Sequence, residues 1–169
     1  IEDTIKTAHE MGIERELPAV PSLVLGAGDV RLLNIVSAYA TLANNGRRVS
    51  TSPITKIENS KGEIIEKNTP QGKRVLTEEV VKKITNVLSS DEARAPLFGE
   101  DSILSFENHK VAAKTGTTND YRDAWTIGYS DEVAVGVWVG NNDNTPMEKQ
   151  LGILLSSPMW RPVMAAAIE

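Results

Sequence analysis

The chain contains no cysteine, which excludes disulfides, thiol nucleophiles and thiolate metal sites. Histidine is nearly as scarce. His9 and His109 stand far apart and neither has a second ligand at helical spacing, so each reads as an ordinary surface or core side chain and no metal is expected. No run approaches the roughly 18 to 20 apolar residues that a spanning helix needs, so no membrane segment is expected within the chain. No charged stretch followed by an apolar one opens it either. Ile1-Glu2-Asp3-Thr4, without an initiator methionine, reads as the middle of something longer. Positive charge is scattered: 18 Lys and Arg lie among 23 Asp and Glu, for a net charge of −5. Without a basic patch or stripe, no nucleic-acid partner is expected.

With 40% hydrophobic and 24% charged residues, the 169 residues have the composition and length of one globular piece with a sizeable core. Periodicity predicts a short helix over residues 2–12, stopped by Gly12. Residues 17–28, punctuated by Pro18, Pro21, Gly26 and Gly28, read as irregular and mostly buried. Asp29 reads as the N-cap of a helix running to about Asn44, with Leu32, Leu33, Val36, Tyr39, Ala40 and Ala43 on its apolar side and Gly46 ending it. Residues 53–66 form a hairpin around Asn59-Ser60-Lys61-Gly62. Thr77, followed by Glu78 and Glu79, caps a second helix whose stripe is Val80, Val81, Ile84, Val87 and Leu88. Residues 91–108 read as irregular.

Three strands follow, at about 110–117, 124–129 and 133–139, with connections short enough to require an antiparallel meander. In the third, Val133, Val135, Val137 and Val139 alternate with Ala134, Gly136 and Trp138. Both faces are apolar, so helices must cover the sheet on both sides. A last helix starts near Ser157-Pro158 and includes Trp160, Val163 and Met164. The expected fold is α/β of the α+β type: an antiparallel sheet with helices packed on its faces.

Chemistry concentrates in Lys114-Thr115-Gly116-Thr117, on the first of these strands. Taken alone, the tetrapeptide has two readings. One is a solvated strand with an exposed lysine and two β-favouring threonines. The other is a binding strand, because a glycine inside a strand weakens it and often marks close approach by a ligand. In the second reading Lys114 supplies a cation, Thr115 a hydroxyl and Gly116 clearance for an extended ligand ending in a carboxylate. Strand alternation puts Lys114 and Thr115 on opposite faces, so both serve one ligand only if it lies along an exposed strand edge. A backbone N–H from Thr117 would then point at a developing oxyanion. Other candidates are weaker. Glu78-Glu79 and Asp91-Glu92 are adjacent pairs that suit helix starts, and Asn141-Asn142-Asp143-Asn144 lacks the glycine and terminal glutamate of a calcium loop. Trp125, Trp138 and Trp160 read as core anchors.

Lys-Thr-Gly is also one of three motifs shared by serine β-lactamases and penicillin-binding proteins. The run from Lys114 through Asp123-Ala124-Trp125 resembles the third motif of class A, bifunctional penicillin-binding proteins and the hairpin that continues it. Val137-Trp138-Val139-Gly140-Asn141-Asn142-Asp143, Leu23-Val24-Leu25-Gly26, Ser37 to Gly46 and Pro158-Met159-Trp160 are similar to the same family, in the expected order. The resemblance implies a serine D,D-transpeptidase that cross-links peptidoglycan stem peptides on the extracytoplasmic face of the bacterial membrane and binds β-lactams, without metal or organic cofactor. Lys114 and Thr115 would bind the terminal carboxylate of D-Ala-D-Ala or of a β-lactam. Gly116 would give clearance, and Thr117 an oxyanion donor; Lys114 and Thr117 are thus the catalytic candidates.

Two features depart from the family. Thr126 stands where an aromatic residue is usual, which bears on packing more than on chemistry. No serine has a lysine three positions later, and no Ser-x-Asn occurs. The whole of residues 1–169 is therefore expected to be the C-terminal part of a transpeptidase domain, whose partner is its own nucleophile-bearing N-terminal part. The alternative is a non-catalytic peptide- or cell-wall-binding module using the same strand.

Overall fold

Local chemistry sets most of the helix boundaries in the computed structural model, which describes all 169 residues. Helix α1 (Glu2–Met11) carries Glu2 and Asp3 in its first turn, and Gly12, at φ 114°, returns its N–H to the last carbonyls. Residues 21–25 make a single 3₁₀ turn, and here the expected burial fails: Val24 and Leu25 are 76% and 88% exposed. Nothing elsewhere in the chain packs over them.

Helix α2 (Leu32–Ala43) starts after Arg31, not Asp29, whose carboxylate makes only an exposed ion pair with Arg15. Its buried side is Asn34, Ala38, Thr41 and Leu42, whereas Leu33 is exposed. The helix is apolar nearly all round, so its sequence leaves the phase of the buried stripe open. It ends through Asn45 and Gly46, both at positive φ, into β1 (Arg47–Arg48).

Strands β2 (Lys56–Glu58) and β3 (Ile64–Lys67) form the expected hairpin, its turn held by Asn59 Oδ1 accepting the N–H groups of Lys61 and Glu63. Strand β4 (Lys73–Arg74) pairs with β1. Helix α3 (Glu78–Leu88) starts as predicted at Thr77, whose hydroxyl accepts from the Val80 N–H at 3.4 Å. Val81 is buried, but Val80 and Val87 face solvent. Residues 91–98, expected to be irregular, form helix α4 (Asp91–Phe98), capped by Ser90 Oγ and carrying Asp91 and Glu92 in its first turn. Those starting signals outweigh Pro96, which costs one helical hydrogen bond.

The antiparallel meander is present as β5 (Ala112–Thr117), β6 (Asp123–Tyr129) and β7 (Ala134–Gly140), in that spatial order. One face packs on helix α6 (Ser157–Ile168), where Trp160 and Met164 are fully buried against Leu104, Val111 and Ala113. The opposite face packs on α2 and α3, where Leu42 and Val81 meet Ala112 and Tyr129. Both faces are thus helix-covered, as the valine alternation in β7 requires. A one-turn helix α5 (Gly152–Leu155), not legible in the sequence, precedes α6 and lies over β5 and β6.

Candidate functional site

Strand β5 is an edge strand. It pairs with β6 in unbroken register from Ala112↔Tyr129 to Thr117↔Ala124, and no strand pairs with its other edge. Just beyond the register, the Thr118 N–H donates to the Asp123 carbonyl. Because antiparallel ladders alternate, Gly116 and Lys114 direct their backbone groups to β6. Thr115 and Thr117 therefore direct theirs to the open edge. The four predicted residues are contiguous on this edge: Lys114 and Thr117 are exposed, Thr115 and Gly116 half-buried. The Lys114 ammonium folds back to donate to the Thr115 carbonyl, so it already sits at that edge.

Ala112 belongs to the α2–α3 side of the sheet and Ala113 to the α6 side. Alternation therefore gives Lys114 and Gly116 the first face and Thr115 and Thr117 the second. Gly116 lies opposite Trp125, and an added Cβ would be 3.5 Å from the Trp125 Cβ, an ordinary contact; its φ is not in the left-handed region. The chain's own geometry therefore has no need of a glycine there.

The loop joining β5 to β6 is held by Asp123. Its carboxylate accepts from Thr118 Oγ1 and from Trp138 Nε1, each at 2.8 Å, and its own N–H donates to Thr118 Oγ1. Asp120 and Tyr121 both have positive φ, and the Tyr121 carbonyl accepts from the Met147 N–H at 3.0 Å. Arg122 donates to the Asn144 carbonyl, which ties this loop to the turn after β7. Trp138 packs on Trp125 with ring centroids 6.3 Å apart, so these two indoles are half-buried neighbours of the strand, whereas Trp160 is the fully buried anchor.

Sequence reasoning missed the residues on the α6 side of the strand. Thr117 Oγ1 accepts from the Gly152 N–H at 2.8 Å, and an added Cβ on Gly152 would meet the Gly116 carbonyl oxygen at 2.5 Å. Thr126, fully buried, bonds Ser156 Oγ and Ser157 Oγ at 2.7 and 2.9 Å. The one available signal was the polar residue at position 126, between Trp125 and Ile127.

The remaining candidates lie elsewhere. His9 Nδ1 is 2.7 Å from the Ile13 carbonyl oxygen at the end of α1. His109 lines a cavity of about 460 Å³ with Tyr129, Thr85 and Lys110, at the far end of the sheet from Thr117. Glu78 and Glu79 pair with Arg74 and Lys83 at the start of α3. Asn141–Asn144 is a turn in which Asn141 donates to the Thr145 carbonyl.

Residues 26–165 match the family described as the penicillin binding protein transpeptidase domain. Penicillin-binding protein 2D of Bacillus subtilis is 31% identical over 98% of this chain and 24% of its own length. Penicillin-binding protein 1A of Aquifex aeolicus is 33% identical over 92% of this chain and 21% of its own length. The chain thus spans about a quarter or less of these relatives. Among solved structures, penicillin-binding protein 1A from Haemophilus influenzae superposes with a TM-score of 0.86 at 22% identity, over 99% of this chain and 31% of that one, a likeness of fold. The PonA1 protein from Mycobacterium tuberculosis, solved in complex with penicillin V, gives a TM-score of 0.74 at 27% identity, over 96% of this chain and 48% of that one.

Proposed function

The chain belongs to the penicillin-binding protein transpeptidase family, and from that premise we propose that it is the substrate-strand part of a serine D,D-transpeptidase acting on peptidoglycan stem peptides outside the cytoplasmic membrane. The observation that carries this reading is the open edge of β5, with a glycine at position 116 that neither backbone conformation nor packing requires. An extended peptide ending in a carboxylate adds to that edge as a further strand, bonding the outward backbone groups of Thr115 and Thr117. The Lys114 ammonium exchanges the Thr115 carbonyl for the ligand's carboxylate, and the Thr115 hydroxyl donates to the same group. Gly116 leaves room for the ligand backbone. A serine from outside these 169 residues attacks the scissile carbonyl, forming a serine ester and expelling the terminal residue; the acceptor amine then takes the acyl group. The Thr117 N–H stabilises the oxyanion in both steps. A β-lactam enters the same position and acylates the same serine.

In this reading the isolated chain binds weakly at most and forms no covalent adduct, since it holds no Ser-x-x-Lys. Intact-mass spectrometry after incubation with benzylpenicillin checks this: a stoichiometric adduct on any residue contradicts it. The strand assignment is tested in the full-length parent protein. Losing a charge-assisted hydrogen bond costs about 1.5–3 kcal/mol, so Lys114→Ala should slow penicillin acylation roughly ten- to a hundredfold. Thr115→Val should be milder, because it removes a neutral donor and keeps the shape. Stopped-flow acylation at the parent rate in a folded Lys114→Ala protein would show that this strand does not bind the carboxylate.

A further inference from the structure

We propose that Thr126, Ser156 and Gly152 form a positioning relay that holds Thr117, and hence its outward N–H, in place. The inference rests on the oxyanion role proposed for Thr117. Its basis is a run of hydrogen bonds from the buried sheet to the strand edge. Thr126, Ser156 and Ser157 are all fully buried. Ser156 Oγ donates to the Gly152 carbonyl at 2.8 Å, which leaves its lone pairs for Thr126 Oγ1 at 2.7 Å, and Ser157 Oγ then donates to Thr126 Oγ1 at 2.9 Å. That arrangement uses every hydroxyl proton in one direction, towards α5. Gly152 passes the constraint on: its N–H donates to Thr117 Oγ1, and its Cα lies so near β5 that a Cβ would meet the Gly116 carbonyl.

The relay has a reason to exist. A helix of four residues is too short to hold itself, so α5 takes its position from what anchors it. Three buried hydroxyls are an expensive anchor for packing alone, because each demands a partner that an apolar core would not need. What they supply is a fixed direction: the Gly152 C=O accepts from Ser156, and on the other side of the same Cα the Gly152 N–H reaches Thr117. Thr126 touches no reacting atom in this scheme; it acts through Ser156 and Gly152.

The test uses the full-length parent protein and benzylpenicillin, with the pre-acylation dissociation constant and the acylation rate measured separately by stopped flow. Displacing an oxyanion donor by a fraction of an ångström slows the chemical step while leaving ground-state binding intact. Thr126→Val, which keeps the shape, should slow acylation about tenfold without weakening initial binding, and Thr126→Ser, which restores the hydroxyl, should recover the rate. Gly152→Ala should cost more, about a hundredfold, because its Cβ meets strand backbone. If Thr126→Val does not fold, Ser156→Ala decides on the same two measurements. Acylation at the parent rate overturns the relay, and so does an equal loss of binding and acylation, which marks a merely structural cluster. Lys114→Ala run in parallel separates the failures: slowed Lys114→Ala beside an unaffected Thr126→Val sinks the relay alone, whereas two silent variants sink the strand assignment beneath it.

Discussion

Gly116 and Gly128 lie on adjacent strands of one sheet, yet they are glycines for different reasons. At Gly128 a Cβ would press into the Trp160 ring and lie 2.8 Å from the Ala112 carbonyl oxygen, so the residue is dictated by core packing. At Gly116 a Cβ would meet only an ordinary contact with Trp125. Gly128→Ala should therefore destabilise the chain by about 1–3 kcal/mol through overpacking. Gly116→Ala should leave stability unchanged or raise it by up to about 1 kcal/mol, since glycine weakens strands. In the full-length protein, however, Gly116→Ala should slow penicillin acylation. Urea titrations of the two variants separate these cases, and a Gly116→Ala chain as destabilised as Gly128→Ala would return Gly116 to the core. The tetrapeptide containing Gly116 was legible because its residue types, in order, carry a chemical logic of their own. Gly152 and Thr126 were not, because their partners lie 35 and 30 residues away and no periodicity connects them.

Elements were legible where one strong signal governed them. Helix α3 has a threonine cap with two acids after it, and the meander has connections too short for any other topology. Where signals conflicted, the reading failed: Pro96 hid α4, and polar Asn34 and Thr41 on the buried side hid the phase of the largely apolar α2. That phase places Tyr39 edge-on to Tyr129, with ring centroids 6.0 Å apart, between α2 and β6. Burial first, and the neighbouring Tyr129 second, push the Tyr39 phenol up to about 12. Burial likewise raises Tyr129, against the hydrogen bond from Thr85. Both phenols are held neutral by the fold, so their contribution is fully present below the ordinary tyrosine value near pH 10. It is lost as pH rises, because the unfolded chain ionises first and draws the equilibrium. For Tyr39 the window is about pH 10 to 12 and the loss about 2–3 kcal/mol. Denaturation midpoints across that range, alongside tyrosinate absorbance, should show a steeper alkaline decline than in Tyr39→Phe. Equal declines would mean that the α2–β6 contact is open to water.

At the scale of the molecule, surface area is the telling quantity. The chain exposes 11152 Å², whereas a compact monomer of 18.4 kDa exposes roughly 8,200 Å². Only 24 of 169 residues are buried, and the exposed apolar side chains cluster by element. Val24 and Leu25 lie in the 3₁₀ turn, with Leu33 at the start of α2; Leu151 precedes α5 and Leu154 lies within it; Met159 and Val163 are one turn apart on α6. Apolar area of this extent usually belongs to an interface. We propose that the surface is completed by the nucleophile-bearing part of the same transpeptidase domain, which would also bring the serine to the open edge of β5. The chain alone should then satisfy its apolar surface by binding copies of itself. Sedimentation velocity should show association that strengthens with concentration, and dye binding to exposed apolar surface should fall as oligomers form. Adding the complementary part should dissolve the oligomers into a defined complex. A compact monomer persisting at high concentration would mean that the excess surface tolerates water, and the proposed completion of that surface by a second part would lose its physical basis.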